Sequence, residues 1–297
     1  MPATSYLPAP PAAYHRMLVS ARPPWWRLAV SLVAVVPSLV VMSLVGALAI
    51  LGSATLLGRD ASFDLTDGVN AGELLATNLG LALQIPVAFA LAYVLYSASP
   101  RRLSSVQPGL RWSWLVICIG ISAVIWSPFL VLGTAGAYLY REAPVDAAVL
   151  GFLLVVLLTT PLQAAGEEYL FRGLILQGLG AARLPTWVCC LVSGLLFAAA
   201  HLQFEPALFA DRLFLGIMLA WLAIRTGGLE AGIAIHAIKN LAVLAPAGLL
   251  DNVQDALDPT NVSWVPLVVD VVLVSLAFWW MTALSSRRNA PSPSHHR

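Results

Sequence analysis

Charged residues are scarce in this sequence. Of its 297 residues, 10% are Asp, Glu, Lys or Arg and 59% are hydrophobic, whereas soluble domains carry about 25% charged residues. The deficit places most of the chain in lipid. The formal net charge is only +1, and because no basic stripe is present to hold phosphates, a nucleic-acid partner is not expected.

Cysteine is rarer still, with three residues in the whole chain. Cys118, Cys189 and Cys190 all lie in apolar runs and lack the C-x-x-C or histidine spacing of metal sites. We therefore interpret them as small buried hydrophobic residues, and we expect neither a disulfide nor a cysteine-bound metal.

The sequence contains many long apolar stretches. A helix needs about 20 apolar residues to cross the hydrocarbon core, and prolines are tolerated inside such helices. The predicted spans are residues 28–52, 72–97, 113–136, 146–182, 185–202, 208–226, 229–250 and 263–284. The fold class predicted is all-α, a polytopic integral membrane protein with about eight transmembrane helices.

The basic residues predict how these spans are oriented. If the N-terminus is cytosolic, twelve arginines fall on the cytosolic side, against three on the other side, and Lys239 falls within a span. The twelve are Arg16, Arg22, Arg27, Arg101, Arg102, Arg111, Arg172, Arg183, Arg225, Arg287, Arg288 and Arg297; the three are Arg59, Arg141 and Arg212. This positive-inside bias predicts a multi-pass protein with both termini cytosolic, which we expect to lie in the bacterial cytoplasmic membrane.

Ionisable residues inside spans are the functional signal. A charge at the centre of the bilayer costs about 2.5–3.5 kcal/mol, so such a residue is a functional hypothesis by default. Three clusters qualify: Gly-Glu-Glu-Tyr-Leu-Phe-Arg at 166–172, Phe-Ala-Ala-Ala-His at 197–201 and His-Ala-Ile-Lys-Asn at 236–240.

The first cluster lies in the fourth span. Glu168 and Arg172 are four residues apart, so they share a helix face and can form an ion pair. Glu167 is rotated by about 100° from Glu168 and is free to point elsewhere. Residues 146–182 would reach about 55 Å as one straight helix, so we expect a tilt, or a break near Pro161 or Gly166.

The other two clusters show the same helical spacing. His236 and Asn240 lie on one face of their helix. Phe197 lies one turn before His201 and can pack against its ring. At about 1.5 Å per residue, both histidines, Asn240 and Glu167 fall within one membrane-deep slab and can converge. Lys239 can either snorkel towards the membrane edge or face a cavity.

The motifs E-E-x-x-x-R, F-x-x-x-H and H-x-x-x-N on successive helices resemble the CAAX-processing and bacteriocin-processing (CPBP, or Abi) family. That family includes the type II CAAX prenyl endopeptidases. The resemblance covers roughly residues 145–250. Together with the apolar runs and the composition of the two ends, it divides the chain into a Pro-rich cytosolic tail, N-terminal transmembrane helices, a catalytic helical core, a last transmembrane helix and a disordered cytosolic tail. These segments are residues 1–27, 28–140, 141–250, 251–285 and 286–297.

The resemblance implies an intramembrane endopeptidase and a role for each motif residue. Glu167 and His201 would activate a water molecule, and His236 and Asn240 would stabilise the oxyanion. The supporting residues would be Glu168, Arg172 and Phe197. The substrate would be a membrane-embedded or lipid-modified peptide or protein.

Zinc dependence stays open as an alternative. One carboxylate and two imidazoles match a catalytic zinc site, whose ligands would be Glu167, His201 and His236. The H-E-x-x-H signature is absent, and Asn240 is a poor zinc ligand. We therefore favour a mechanism without a metal cofactor.

Other classes of function remain possible from the residues alone. The acidic pair can be purely structural, His201 can lie at the headgroup boundary, and His236 with Asn240 can join helices by hydrogen bonds. Buried Glu, His and Lys side chains also form proton relays, so a proton-coupled transporter is an alternative, as is a non-catalytic immunity or scaffold protein. The sequence does not indicate an oligomeric state.

Overall fold

The computed structural model describes residues 13–18, 25–56, 70–107, 109–141, 144–250 and 263–289. In these ranges the chain is almost entirely helical and contains no strand, apart from an isolated bridge between Ser105 and Gly228. The predicted all-α fold class is confirmed. The predictions that fall on residues 1–12, 19–24, 57–69, 108, 142–143, 251–262 and 290–297 lie outside the described residues.

A 3-10 turn at Tyr14–Arg16 comes first, and the helices follow it. The helices are α1 (Trp25–Val33), α2 (Val35–Leu56), α3 (Ala71–Ala82), α4 (Gln84–Tyr96), α5 (Arg101–Ser104), α6 (Trp112–Tyr140), α7 (Ala147–Glu168), the π-helix π1 (Tyr169–Ile175), α8 (Leu176–Ala181), α9 (Thr186–Ala200), α10 (Pro206–Thr226), α11 (Glu230–Leu249) and α12 (Val265–Asn289).

Seven helical segments of the described chain are long and apolar enough to cross a membrane. They are Trp25–Gly52, Ala71–Tyr96, Trp112–Tyr140, Ala147–Ala181, Pro206–Thr226, Glu230–Leu249 and Val265–Arg287. The remaining predicted span corresponds to α9, which has 15 residues. At about 1.5 Å per residue, α9 covers about 22 Å and falls short of the hydrocarbon thickness of about 30 Å.

The fourth span differs from the prediction in where its irregularity lies. Helix α7 continues through Pro161 and Gly166 without a break. The hydrogen bonds change instead at π1, which widens the helix for seven residues before α8 resumes. Close packing explains why residue 166 is a glycine: a Cβ atom there would collide with the carbonyl oxygen of Leu81 on α3.

The centre of the bundle lies around π1, whose residues are all buried. Phe171, Leu174 and Ile175 are among its most enclosed apolar side chains. Cys118, Cys189 and Cys190 are buried free thiols in the same fold, as predicted. Within the predicted N-terminal tail, Tyr14 and His15 are also buried, and a Cβ atom at Gly180 of α8 would collide with the His15 carbonyl.

Candidate active site

The three predicted clusters meet between α7, α9 and α11. Hydrogen bonds join His236 to Glu168 and Asn240 to Gln163, so α7 and α11 run antiparallel at this level. His201 caps the C-terminal end of α9. The helix spacing of each motif therefore turns its polar side chains towards the same interior region.

Glu168 and Arg172 form the ion pair that their spacing predicts. Arg172 Nη1 donates to Glu168 Oε1 at 2.8 Å, and both side chains are fully buried. Arg172 Nη2 also donates to the Gly216 carbonyl oxygen at 3.2 Å, and the guanidinium lies 4.3 Å from the centre of the Phe197 ring. These contacts join π1 to α9 and α10.

Glu167 points away from that ion pair. Its Oε1 accepts a hydrogen bond of 2.6 Å from Gln163 Nε2, one turn earlier on α7. Its Oε2 lies 3.5 Å from His236 Nε2 and has no hydrogen-bond partner within the described parts of the chain. Glu167 is buried and contacts neither lysine nor arginine there.

His236 lies between the two carboxylates. Its Nδ1 is 3.1 Å from Glu168 Oε1 and its Nε2 is 3.5 Å from Glu167 Oε2. When Nδ1 carries hydrogen, it donates to Glu168; Nε2 of a neutral ring then holds a lone pair, and it carries hydrogen as well only when the ring is doubly protonated. The two carboxylates thus fix the orientation of the ring, and Nε2 can donate a hydrogen bond in the doubly protonated form.

His201 approaches from α9 through Phe197. The Phe197 ring is 4.9 Å from the His201 ring and 5.7 Å from the His236 ring, centroid to centroid. His201 Nδ1 lies 2.8 Å from the Phe197 carbonyl oxygen, to which it donates. In a neutral imidazole this leaves the Nε2 lone pair available as a base. Among the described residues, no hydrogen bond joins His201 directly to Glu167.

Gln163 is a member of the site that the motifs did not reveal. It accepts a hydrogen bond of 3.1 Å from Asn240 Nδ2 and donates one of 2.6 Å to Glu167. The available signal was its position four residues before Glu167, as a polar residue in an apolar run. We call Gln163, Glu167, Glu168, His236 and Asn240 the carboxylate–histidine network.

A second buried cluster was also missed. Lys239 Nζ lies 2.9 Å from Asp211 Oδ2 of α10 and forms an ion pair with Asp270 of α12. We call these three residues the lysine triad. Both acids hold the ammonium group of Lys239 inside the bundle, so the side chain does not extend towards the membrane edge. Their opposite charges in mid-span were the signal for this pairing.

The described residues do not contain a group of three or more His, Cys, Asp or Glu side chains arranged to hold a metal ion. Glu167, His201 and His236, the alternative zinc ligands, therefore do not form a ready ligand set. His236 instead turns both ring nitrogens towards carboxylates.

The fold and site define a class: an all-α polytopic membrane protein with acidic, histidine and amide side chains gathered between its helices. Residues 147–242 match the family described as Type II CAAX prenyl endopeptidase Rce1-like. This match confirms the resemblance that the three motifs indicated, and all seven motif residues lie within it. It supports a membrane-embedded peptidase of the CAAX type in general.

A search of curated proteins found a similar protein in Escherichia coli, named "Uncharacterized 24.3 kDa protein". The two sequences are 33% identical over 133 residues, which is 41% of this chain and 58% of that protein. The match therefore spans little more than half the length of the relative. No solved structure matches the chain.

Proposed function

We propose that this protein is an intramembrane endopeptidase that hydrolyses a peptide bond of a membrane-embedded or lipid-modified substrate. The observation that carries the proposal is the position of Glu167 and His236 on two antiparallel helices. A buried carboxylate oxygen without a hydrogen-bond partner faces an imidazole nitrogen at 3.5 Å. The family match supports the peptidase class.

Attack by water fits the side chains, because none of the motifs provides a Ser, Thr or Cys nucleophile. Glu167, assisted by His201, takes a proton from water as the oxygen attacks the scissile carbonyl carbon. His236 and Asn240 donate hydrogen bonds to the resulting oxyanion. The C–N bond then breaks, and the proton passes to the leaving amine, so that one water yields one acid and one amine.

A purely structural ion-pair network explains the site less well. It accounts for Glu168, which contacts Arg172 at 2.8 Å. It does not account for Glu167, which is buried beside glutamine and histidine. Burying a carboxylate without a permanent cation is costly, and an ionisable residue inside a membrane span is a functional hypothesis by default.

The test is cleavage of a quenched apolar peptide by the purified protein. We expect Glu167→Ala and His201→Ala each to abolish turnover while the protein keeps its melting temperature to within a few degrees. Glu73→Ala and His15→Ala are matched controls outside the site and should retain turnover. Wild-type turnover in both site variants would end the protease proposal.

We propose metal-independent chemistry, so a chelator should leave the rate unchanged. Activity that a chelator removes and zinc restores would establish the zinc-dependent alternative. We also propose that the protein lies in the bacterial cytoplasmic membrane with both termini in the cytosol. Cysteine labelling from either side of the membrane, at positions near the two ends, would test that orientation.

The lysine triad favours one second candidate, a proton-coupled transporter. Intramembrane carboxylates paired with lysine occur in proton pathways, and Asp211, Lys239 and Asp270 meet inside the bundle. Flux of protons with a co-substrate in proteoliposomes would support this candidate. If the protein cleaves peptide and no such flux is measured, the transporter is rejected and the peptidase proposal stands.

A further inference from the structure

The carboxylate–histidine network is enclosed towards one end of the bundle. The arginines at that end, which we call the arginine-rich end, are Arg101, Arg102, Arg111, Arg183 and Arg225. Residues 166–181, from the last turn of α7 through π1 to α8, are all buried, and so are residues 228–237, which lead into α11. Arg172, Leu174 and Ile235 lie between the network and this end and have no exposed surface. These described segments therefore close off the network from the arginine-rich end.

Helix α5 adds a second layer on the same side. The Leu229 N–H donates to the Ser104 carbonyl oxygen at 2.9 Å, which binds α5 to the start of α11. The Ser104 hydroxyl is 2.8 Å from the hydroxyl of Tyr169, the first residue of π1. From the other side, the buried Tyr14 hydroxyl donates to the carbonyl oxygen of Leu103. Helix α5 is thus held between the N-terminal segment and the two elements that carry the network.

The opposite side of the network is partly open. Residues 238–242 of α11 are partly exposed, and Asn240 is one of them. His201, at the end of α9, is partly exposed as well. Leu202 and Phe204, which follow it, are 78% and 66% exposed. The surface of the site therefore lies on the side away from the arginine-rich end.

The short length of α9 explains where this opening lies. Helix α9 begins shortly after Arg183, near the arginine-rich end, and has 15 residues. At about 1.5 Å per residue it ends about 8 Å short of the far boundary of a hydrocarbon layer about 30 Å thick. Helix α11 instead continues beyond Asn240 to Leu249. His201 therefore lies at the edge of a gap in the wall of helices, on the far side from the arginines.

The side chains of α7 change from polar to apolar at the level of the network. Thr160, Gln163 and Glu167 share one face of the helix by their spacing. Asn78 of α3 donates to the Thr160 hydroxyl at 3.3 Å, and Gln163 donates to Glu167 at 2.6 Å. These residues precede Glu167 and so lie on its open side, whereas the buried residues of π1 after it are mostly apolar. Because water needs polar partners, the approach suited to water is the open one.

We propose that substrate and water reach Glu167 from the side opposite the arginine-rich end, so that the protein cleaves polypeptide segments exposed at the outer face of the membrane. This inference rests on the proposed peptidase function and on the orientation predicted by the arginines, which makes the arginine-rich end cytosolic. The substrate class is then extracytoplasmic. A protein confined to the cytosolic face of the membrane does not reach the site.

Thiol labelling tests the direction of access and needs no turnover. A membrane-impermeant reagent should modify His201→Cys at least about tenfold faster in right-side-out vesicles than in inverted vesicles, because exposed thiols react and buried ones are inert. Asn240→Cys, from another helix, should behave in the same way. Arg183→Cys, exposed at the arginine-rich end, should show the reverse order. Ala234→Cys, fully buried on the closed side, should react in neither preparation.

The wild-type protein gives the background of this experiment, because its cysteines are buried. Modification of His201→Cys and Asn240→Cys in neither preparation, or faster in inverted vesicles, would overturn outward access. Modification of Arg183→Cys from outside would overturn it too, since the open side would then face the cytosol. Ready modification of Ala234→Cys in inverted vesicles would reveal a cytosolic route and reject the closed side.

Cleavage separates this inference from the peptidase proposal. An impermeant quenched peptide should be cleaved by right-side-out vesicles, and by inverted vesicles only after detergent has opened them, with Glu167→Ala as the background. Labelling of His201→Cys from outside without any cleavage would support outward access and reject only the peptidase. Faster cleavage by intact inverted vesicles would overturn outward access and keep the peptidase.

Discussion

The two polar clusters on α11 are neighbours in sequence but differ in the partners of their acids. In the lysine triad, Asp211 and Asp270 both contact the ammonium group of Lys239. In the carboxylate–histidine network, Glu167 contacts an amide and an imidazole. A buried acid beside a lysine has a cation to balance its charge, whereas one beside an amide and an imidazole has no fixed cation. This contrast leads us to expect a structural role for the triad and a chemical role for the network.

Breaking the triad should produce the largest effect, and it should be on stability. Lys239→Met leaves two carboxylates buried without their cation, and breaking a buried ion pair costs about 3–5 kcal/mol. We expect a large fall in the melting temperature of the detergent-solubilised protein. The fraction that remains folded should cleave peptide within a few-fold of the wild-type rate.

Neutralising all three residues together sharpens this prediction. Lys239→Met combined with Asp211→Asn and Asp270→Asn removes the unbalanced charge, so it should recover much of the lost melting temperature. A Lys239→Met protein that melts normally yet has lost cleavage would place the triad in the active site and erase the distinction between the clusters.

Breaking the carboxylate–histidine network should reduce activity. The expected rise in the activation free energy of cleavage is somewhat smaller than the loss of stability in Lys239→Met. Asn240→Ala removes one proposed oxyanion donor, which typically lowers kcat by about 10²–10³-fold. Asn78→Ala is the matched control, since Asn78 also joins two helices, through a 2.8 Å hydrogen bond to Thr159 on α7. The control should lower stability and leave kcat unchanged. If both variants keep wild-type kcat, Asn240 is only a link between helices.

The sequence predicted those contacts that depend on spacing within one helix. Glu168 and Arg172 pair as their four-residue separation requires, and Phe197 covers His201 one turn away. The membrane-spanning character followed equally directly, because a shortage of charge and long apolar runs leave few alternatives. Helix α9 begins and ends within two residues of the predicted span 185–202, but its 15 residues are fewer than a crossing needs.

Contacts between helices could not be predicted from the sequence. The partner of Asp270 depends on how α12 packs beside α11, and no spacing rule relates residues from separate helices. The link from Asn240 through Gln163 to Glu167 has the same origin. The position of π1 was missed as well, since proline and glycine are the usual local markers of an irregular helix and π1 begins after both.

The smallest effect should come from Gln163, which orients Glu167 without taking part in the chemistry. Gln163→Met keeps the volume and removes the 2.6 Å hydrogen bond to Glu167 Oε1 together with the acceptor for Asn240. A hydrogen bond to a charged group contributes about 1.5–3 kcal/mol; because Glu167 keeps its contact with His236, we expect kcat/KM to fall only about tenfold, mainly in kcat. Gln177→Met is the control, since this buried glutamine of α8 donates instead to the Arg102 carbonyl at 3.1 Å. Equal losses in the two variants would mean that Gln163 serves packing alone, and that Glu167 is held in place by His236.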